Sequence, residues 1–347
     1  MKVAVVSGSS GQDGSYLAEL LLSKGYFVIG FSRRVSVNTS ERIKHLLTNG
    51  NFQFEEGDVC DPLYITTLLT KYRVAEFYNL AAQSHVHTSF TQPVVTTEID
   101  YMGPLNILNC IKNCSPETRF YQASTSEMFG DVFEESDDGA YQDEETYMNP
   151  QSPYAIAKLA SHHAVRLYRE SYGIFGCSGI LFNHESPRRG ENFVTRKITK
   201  WIGEFIDFTE NRKLGELVPD EDYIITKTNS VKYPKLRLGN LDASRDWGHA
   251  KDYVRAMWMM LQHDTADDYV VSTEETYSVR DFLNTAFYEA GIDNWENLVV
   301  VDPKFYRPAE VPYLCGVSQK IRKTLGWSPE VTFEQLAKEM VEADING

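Results

Sequence analysis

The amino-acid sequence predicts an α/β protein built on a doubly wound parallel sheet, with a smaller C-terminal α/β lobe. Three observations carry this expectation. Short apolar runs alternate with amphipathic helical ones through the first half of the chain, a three-glycine turn follows the first apolar run, and the pattern becomes polar and turn-rich after about residue 183. Strands that lie parallel need helical crossovers, so this alternation is what βαβ units write into a sequence.

The first run, Val3 to Val6, suits a buried parallel strand over about 2–7. Gly8-Ser9-Ser10-Gly11-Gln12-Asp13-Gly14 follows, and Leu17, Leu20, Leu21 and Leu22 then mark a helix over about 13–24. A tight glycine turn that opens a helix lets backbone approach a pyrophosphate, and the helix amino end favours the anion. The spacing, G-x-x-G-x-x-G, is the form seen in short-chain dehydrogenase/reductases; taken alone it also suits an ordinary strand-to-helix turn. A second strand (about 26–31) ends at Ser32-Arg33-Arg34. An NAD-selective fold usually carries a carboxylate here for the ribose 2′-hydroxyl. Two guanidiniums stand there instead, and their planar forks match a phosphate, which favours NADP over NAD. A solvated basic turn is the competing reading. A third strand (about 52–56) leads to Asp58 and Val59, where Asp58 would accept from an adenine amino group. A helix (about 62–72) and a strand (about 75–80) lead to Leu80-Ala81-Ala82-Gln83-Ser84, small residues where a cofactor passes close to backbone.

A helix over about 95–113 and a strand over about 118–123 bring the chain to Ser124-Thr125-Ser126-Glu127. Ser152-Pro153 reads as a cap followed by a first-turn proline, starting a helix to about 171 with Tyr154 in its first turn. Tyr154 and Lys158, four apart, share one helix face. An ammonium beside a phenol favours the phenolate, giving a base for a substrate alcohol. The Thr125 hydroxyl would hydrogen-bond the same oxygen. Glu127 is surplus to alcohol oxidation and suits a step that removes a carbon-bound proton or expels water. Ligands of open parallel sheets lie outside the strands' carboxyl ends, so both motifs are placed to meet in one crevice. A Y-x-x-x-K pair by itself is also common on exposed helices.

A strand at about 177–182 closes the first unit. Beyond it come a polar turn (Asn183 to Gly190), a helix from Thr195 to Phe208, and a charged, apolar-poor segment (about 209–235) expected as a surface excursion. A helix from about His249 to Gln262 and a strand at Tyr269 to Ser272 would rejoin the sheet, with helices near 278–290 and 332–343 in the tail. The expected division is residues 1–182, rejoined by about 241–275, as the dinucleotide-binding domain, and 183–240 with 276–347 as the substrate lobe. At 347 residues, 42% hydrophobic and 24% charged, the chain has ordinary globular composition. Its net charge of −15 disfavours nucleic-acid and anionic-membrane surfaces. Five scattered cysteines (Cys60, Cys110, Cys114, Cys177 and Cys315) suggest neither disulfides nor a metal site, and fit a reduced, cytoplasmic setting. No signal peptide and no run long enough to span a membrane are expected.

Several stretches together resemble the GDP-mannose 4,6-dehydratases, extended short-chain dehydrogenase/reductases with a Rossmann fold. They are Gly8–Gly14, Leu80–Ser84, Ser124–Glu127, Tyr154–Lys158, Phe182–Lys197, Leu238–Tyr253, Arg307–Val311 and Leu325–Phe333. The two long ones, 182–197 and 238–253, are the most specific. The resemblance implies tightly bound NADP, GDP-mannose as substrate, and GDP-4-keto-6-deoxymannose and water as products. Tyr154 would take the proton of the sugar 4-hydroxyl, held by Thr125, while hydride leaves C4. Lys158 would hold the nicotinamide ribose and Glu127 would remove the C5 proton. Water would leave C6 and the same hydride would return there. His184 and Arg189 match positions beside the cofactor. Ser84, Ser126, Asn183, Lys197, Arg245, Arg307 and Glu310 match the substrate side, although the charged ones among them would serve equally well in surface salt bridges. A dTDP-glucose dehydratase, a 4-epimerase and a non-catalytic NADP-binding regulator are the other readings; an epimerase has no use for Glu127.

Two segments depart from the family pattern. An acidic insertion before Tyr154 (about 131–146) is expected to border the site, and a longer one (about 214–235) to form a lid or an oligomer surface. The loop Arg33 to Asn38 reaches a neighbouring subunit's cofactor in tetrameric members, so a homodimer or homotetramer is implied.

Overall fold

A computed structural model describes residues 1–34, 41–136, 139–211, 217–226, 232–306, 311 and 313–347. Seven parallel strands form the central sheet. From edge to edge they are Phe52–Glu56, Phe27–Ser32, Val3–Ser7, Glu76–Asn79, Arg119–Thr125, Gly176–Leu181 and Asp268–Val271. The six strands expected in the first half are all present, and the strand near 269–272 lies at the sheet's edge. Val5 sits between Ile29 on one side and Phe77 on the other. The strand order therefore reverses beside Val3–Ser7, and the carboxyl ends there leave a crevice between oppositely wound halves.

Helices cover both faces because the strands are apolar on both. Gln12–Ser23 and Ala250–Gln262 seat Leu17, Leu21, Met257 and Leu261 against one face. Pro62–Tyr72, Gly103–Cys114 and Pro153–Tyr172 seat Ile65, Leu68, Ile107, Ile111 and Val165 against the other. A separate apolar cluster holds the C-terminal helices Val194–Asn211, Val279–Glu289 and Phe333–Asn346 around Trp201, Phe205, Phe282 and Phe333.

Three elements differ from expectation. The single helix over 95–113 is broken: a short helix Pro93–Thr97 passes through a π-helical turn, Glu98–Met102, before Gly103–Cys114 begins. Pro104 explains the break. It has no N–H to donate to the carbonyl four residues back, which belongs to Asp100, and a wider turn absorbs the mismatch. The segment expected to be an apolar-poor excursion carries a small antiparallel sheet, Leu217–Pro219, Tyr223–Thr226 and Lys232–Pro234. Tyr233 anchors it by packing on the rings of Trp201, Phe205 and Phe208. The acidic insertion before Tyr154 folds into a hairpin, Glu134–Ser136 with Gly139–Tyr141. Its next residue, Gln142, exchanges backbone hydrogen bonds with Cys315 and Val317. None of its described residues lines the cavity below, so its expected place beside the site is corrected.

The five cysteines are unpaired. Among the described residues no helix is long and apolar enough to cross a membrane, and no group of three or more His, Cys, Asp or Glu side chains is placed to hold a metal.

The edge strand is fastened by charge. Arg169 grips Asp268 with both terminal nitrogens (3.1 and 2.7 Å), and the Ser178 amide donates to the same carboxylate at 3.0 Å. Burial works to raise the Asp268 pKa, but Arg169 and His162 outweigh it and hold the group below its ordinary value. Asp268→Ala should cost about 3–5 kcal/mol, because it leaves a guanidinium buried without its partner. A depressed folded pKa contributes stability above the unfolded carboxylate value and loses it as pH falls through the folded one. Denaturant melts of the two proteins should therefore differ by a constant amount from pH 5 to 8 and converge only in acid.

Candidate active site

The carboxyl ends of the strands around the order reversal open into one cavity of about 1150 Å³. Its wall begins at the glycine turn. Gly8 has φ +69°, and a Cβ there would meet the Leu80 and Ala81 backbone at 3.1 Å. A Cβ on Gly14 would come within 2.3 Å of the Gly8 carbonyl oxygen. The helix that follows starts at Gln12 with Gly11 as its N-cap and no side chain satisfying its first amides. This is a bare backbone cradle with amide donors at a helix amino end, and it suits a dinucleotide pyrophosphate.

Behind the cradle, Asp13 meets His184. The His184 Nδ1 lies 2.8 Å from the Phe182 carbonyl oxygen and Nε2 lies 2.8 Å from an Asp13 carboxylate oxygen. Both neighbours are acceptors, so both ring nitrogens must donate and the ring is an imidazolium. Burial disfavours both charges, yet the pair wins: the His184 pKa is raised and that of Asp13 lowered. The ring also stacks on Tyr253, with centroids 4.4 Å apart. The Gln12 amide donates to the His184 carbonyl at 3.1 Å.

The residues expected to be catalytic line the same cavity. Thr125 ends the fifth strand, and its side chain accepts from the Glu127 amide at 3.3 Å, which turns Ser126 and Glu127 into the cavity. The Pro153–Tyr172 helix is capped by Ser152, whose hydroxyl accepts from the Ala155 amide. Tyr154 and Lys158 stand on its cavity face, both buried. The Thr125 hydroxyl acts on the Tyr154 phenol in the direction that favours its ionised form. Lys158 Nζ donates to the Ala123 carbonyl at 3.0 Å and lies 5.8 Å from the centre of the Tyr154 ring.

The expected lowering of the phenol pKa by Lys158 is not what the structure shows. Burial pushes the Tyr154 pKa upward, and the negative charges of Asp100 and Glu127 add to it. Thr125 and Arg189 act the other way without prevailing. Lys158 itself is held below the ordinary lysine value by burial, against Asp100 and Asp13. In the protein alone, then, Tyr154 is a protonated phenol beside a partly disfavoured ammonium.

Most expected residues border this one cavity: Gly8, Ser10, Gly11, Gln12, Asp13, Gly14, Arg33, Val59, Leu80, Ala81, Ala82 and Ser84 on the cradle side. Thr125, Ser126, Glu127, Tyr154, Lys158, Asn183, His184, Arg189, Lys197 and Arg245 complete it. Four expected residues do not line it. Ser9 is fully buried behind the turn. Arg34 is exposed, 4.0 Å from Glu56. Asp58 accepts from the Cys60 amide, and the Gln83 side chain is spent on His85 and Thr96. Arg307 and Glu310 lie outside the described residues, as does the Val35–Asn38 part of the arginine loop.

Some wall residues escaped the sequence reading. Arg42 is the clearest. Its Nε donates to the Arg188 carbonyl at 2.7 Å, and its guanidinium lines the cavity together with Ser32 and Arg33. Burial, Arg196 and Arg188 hold its pKa below the ordinary value, so it sits half-buried among like charges. Its position eight residues beyond Arg34 gave no spacing to read. Lys304 and Phe305 enter from the C-terminal lobe. There the Lys197 ammonium sits 3.9 Å from the centre of the Phe305 ring and donates to the Arg237 carbonyl at 2.5 Å.

Comparison with known proteins gives the fold and the family. In fold, the chain is similar to a dTDP-glucose 4,6-dehydratase from Bacillus anthracis in complex with NAD (TM-score 0.79, 18% identity, 99% of this chain and 96% of that one). It is equally similar to a UDP-glucose 4-epimerase from Thermotoga maritima with UDP-glucose (TM-score 0.79, 21% identity, 98% of each chain). In sequence it is 46% identical to GDP-mannose 4,6 dehydratase 2 of Caenorhabditis elegans, covering 99% of this chain and 89% of that one. It is 42% identical to GDP-mannose 4,6 dehydratase of Homo sapiens, covering 99% and 91%. The model of the GDP-mannose 4,6 dehydratase family matches residues 5–227 and 222–340, and with these relatives it shows that the chain belongs to that family.

Proposed function

We propose that the protein converts GDP-mannose to GDP-4-keto-6-deoxymannose and water, using NADP that stays bound throughout. The observation that carries the dehydration is the meeting of Glu127 with Thr125, Tyr154 and Lys158 on one cavity wall. Oxidation at C4 needs only the last three. A carboxylate facing the same space supplies the second base that elimination requires.

The cradle around Gly8, Gly11 and Gly14 would hold the pyrophosphate, Arg33 and Arg42 the 2′-phosphate, and Lys158 the nicotinamide ribose. When bound, the nicotinamide supplies the hydride acceptor for C4 and the hydride donor for C6, and its positive ring favours the phenolate that burial alone disfavours. Thr125 would orient the sugar 4-hydroxyl, and Tyr154 would take its proton. The resulting ketone acidifies the C5 hydrogen. Glu127 would remove that proton and give a proton to the departing C6 hydroxyl, which leaves as water. Tyr154 would pass its proton to C5 as hydride is given back to C6, so Tyr154 and Glu127 end in their starting protonation states; because the hydride taken from C4 is the one returned, no outside reductant is consumed. Lys197, Arg245 and Lys304 would meet the diphosphate of the sugar nucleotide, with Ser84, Ser126 and Asn183 beside the sugar and Arg307 and Glu310 assigned by family pattern alone. The chain would then work as the sheet-bearing unit, 1–182 with 241–275, closing over nucleotide sugar held by the C-terminal lobe. A cytoplasmic homodimer or homotetramer is the setting this reading implies.

Incubation with GDP-mannose, dTDP-glucose and UDP-glucose in parallel should give a 4-keto product from GDP-mannose only. Product from another sugar nucleotide and not from GDP-mannose would overturn the substrate. Glu127→Gln should lower kcat by about 10²–10⁴-fold with KM within a few-fold, as expected for loss of a general base. Near-normal turnover in that variant would show the role to be misassigned. For the cofactor, Arg42→Ala should weaken NADP binding by about 10- to 100-fold, the range of a hydrogen bond to a charged group, and leave NAD binding within about three-fold. Equal losses for both dinucleotides in a titration would remove Arg42 from the phosphate site.

A further inference from the structure

One buried carboxylate beside this machinery has no part in the scheme above. Asp100 is fully inaccessible to solvent and lies in the π-helical turn, Glu98–Met102, that Pro104 imposes. One oxygen, Oδ1, accepts from the Gln83 amide at 2.7 Å, in the small-residue segment that lines the cavity. The other, Oδ2, is buried with no hydrogen-bond partner among the described residues. An unpaired buried carboxylate oxygen is costly and calls for a reason.

The neighbouring helix supplies one. The Asp100 carbonyl, deprived by Pro104 of its helical donor, accepts from the Ser161 hydroxyl. Ser161 is one turn from Lys158 on the same helix face, so this bond holds the Asp100 backbone beside the stretch of helix that carries the ammonium. The two charges interact: Lys158 lowers the Asp100 pKa, and Asp100 raises that of Lys158. Burial dominates at both ends. It lifts Asp100 to about 6 and draws Lys158 down, so each charge persists in the interior through the other.

We propose that Asp100 is a positioning residue of the active site, the fixed counter-ion that keeps Lys158 an ammonium in the closed cavity while its other oxygen ties down the Gln83 backbone. This rests on the dehydratase reading for what Lys158 does, but the charge pairing itself does not. The other charged or titratable groups here are Asp13 from the glycine-turn helix, which acts on Lys158, and Tyr154 on the Lys158 helix, which Asp100, Glu127 after the fifth strand and Arg189 in the loop after Ser186 act on. Asp13 is engaged by His184, which leaves Asp100 as the carboxylate with an oxygen to spare.

Asp100→Asn isolates the charge, because its amide oxygen can still accept from Gln83. Losing the carboxylate removes an influence that raises the Lys158 pKa, so the ammonium should be lost at lower pH. The alkaline limb of kcat for GDP-mannose should move down by about one pH unit or more, with KM within about three-fold. A uniform loss of kcat with the limb in place would mean a structural role only, and an unchanged profile would mean none; either overturns the proposal. Should Asp100→Asn not fold, Lys158→Met tests the pairing from the other side. Without the ammonium, Asp100 should take up a proton at pH 7.5, seen by difference infrared spectroscopy as a protonated-carboxyl band absent from the wild type and shifted by carbon-13 aspartate. No such band overturns the pairing. This arm needs no turnover, so it reads out even if the reaction assigned above is wrong.

Discussion

The site depends first on a close approach of backbone to backbone. At the glycine turn the Gly8 carbonyl lies where a side chain on Gly14 would have to go, and Gly8 lies against the Leu80–Ala81 backbone. Three segments from two strands and a helix are thereby drawn into one corner without any side chain between them. That corner is also where the strand order reverses, so it fixes both the crevice and the direction of the helix that opens it. The Asp13–His184 ion pair sits directly behind it and carries the geometry across to the segment after the sixth strand. Loss of the bare turn would displace the cradle and the clasp together.

The electrostatics follow from burial. A chain with a net charge of −15 has to gather its cations locally to hold anionic ligands, and it does so: Arg33, Arg42, Arg189, Lys197, Arg245 and Lys304 share one cavity wall system. Tyr154 and Lys158 sit among carboxylates, with Arg189 the nearby cation that acts on the phenol. There the phenol of Tyr154 is held protonated by the protein's own groups. Under the proposed reaction its activation would be coupled to what occupies the cavity, the phenol becoming an effective base when positive charge arrives beside it.

Much of this was legible in the sequence because it depends on local pattern. The glycine triplet, the capped Ser152-Pro153 helix start and the four-residue spacing of Tyr154 and Lys158 are short-range signals that tertiary packing did not override. What escaped was set by contacts far apart in the chain. Arg42 reaches the cavity because Arg188, 146 residues away, accepts its hydrogen bond. Asp100 looked like one more residue of a long helix, since the effect of Pro104 is felt four residues upstream of it. The pKa of Tyr154 was misjudged for a similar reason: helix spacing showed the lysine, but the carboxylates around the phenol come from other elements. The charged segment near 209–235 was read by composition, which hides the few aromatic contacts that order Tyr233.

The acidic insertion before Tyr154 lies off the cavity wall, and its position has another consequence. Asp268–Val271 is an edge strand, and an open edge offers backbone donors and acceptors to any passing strand. Glu144, at the end of the insertion, accepts from the Val270 amide at 2.7 Å, and Lys320 donates to the Asp268 carbonyl at 2.9 Å. Side chains thus take up hydrogen-bonding groups that would otherwise recruit an eighth strand. In this chain Glu144 occupies part of the sheet's edge, where a bare strand would be open to edge-to-edge pairing.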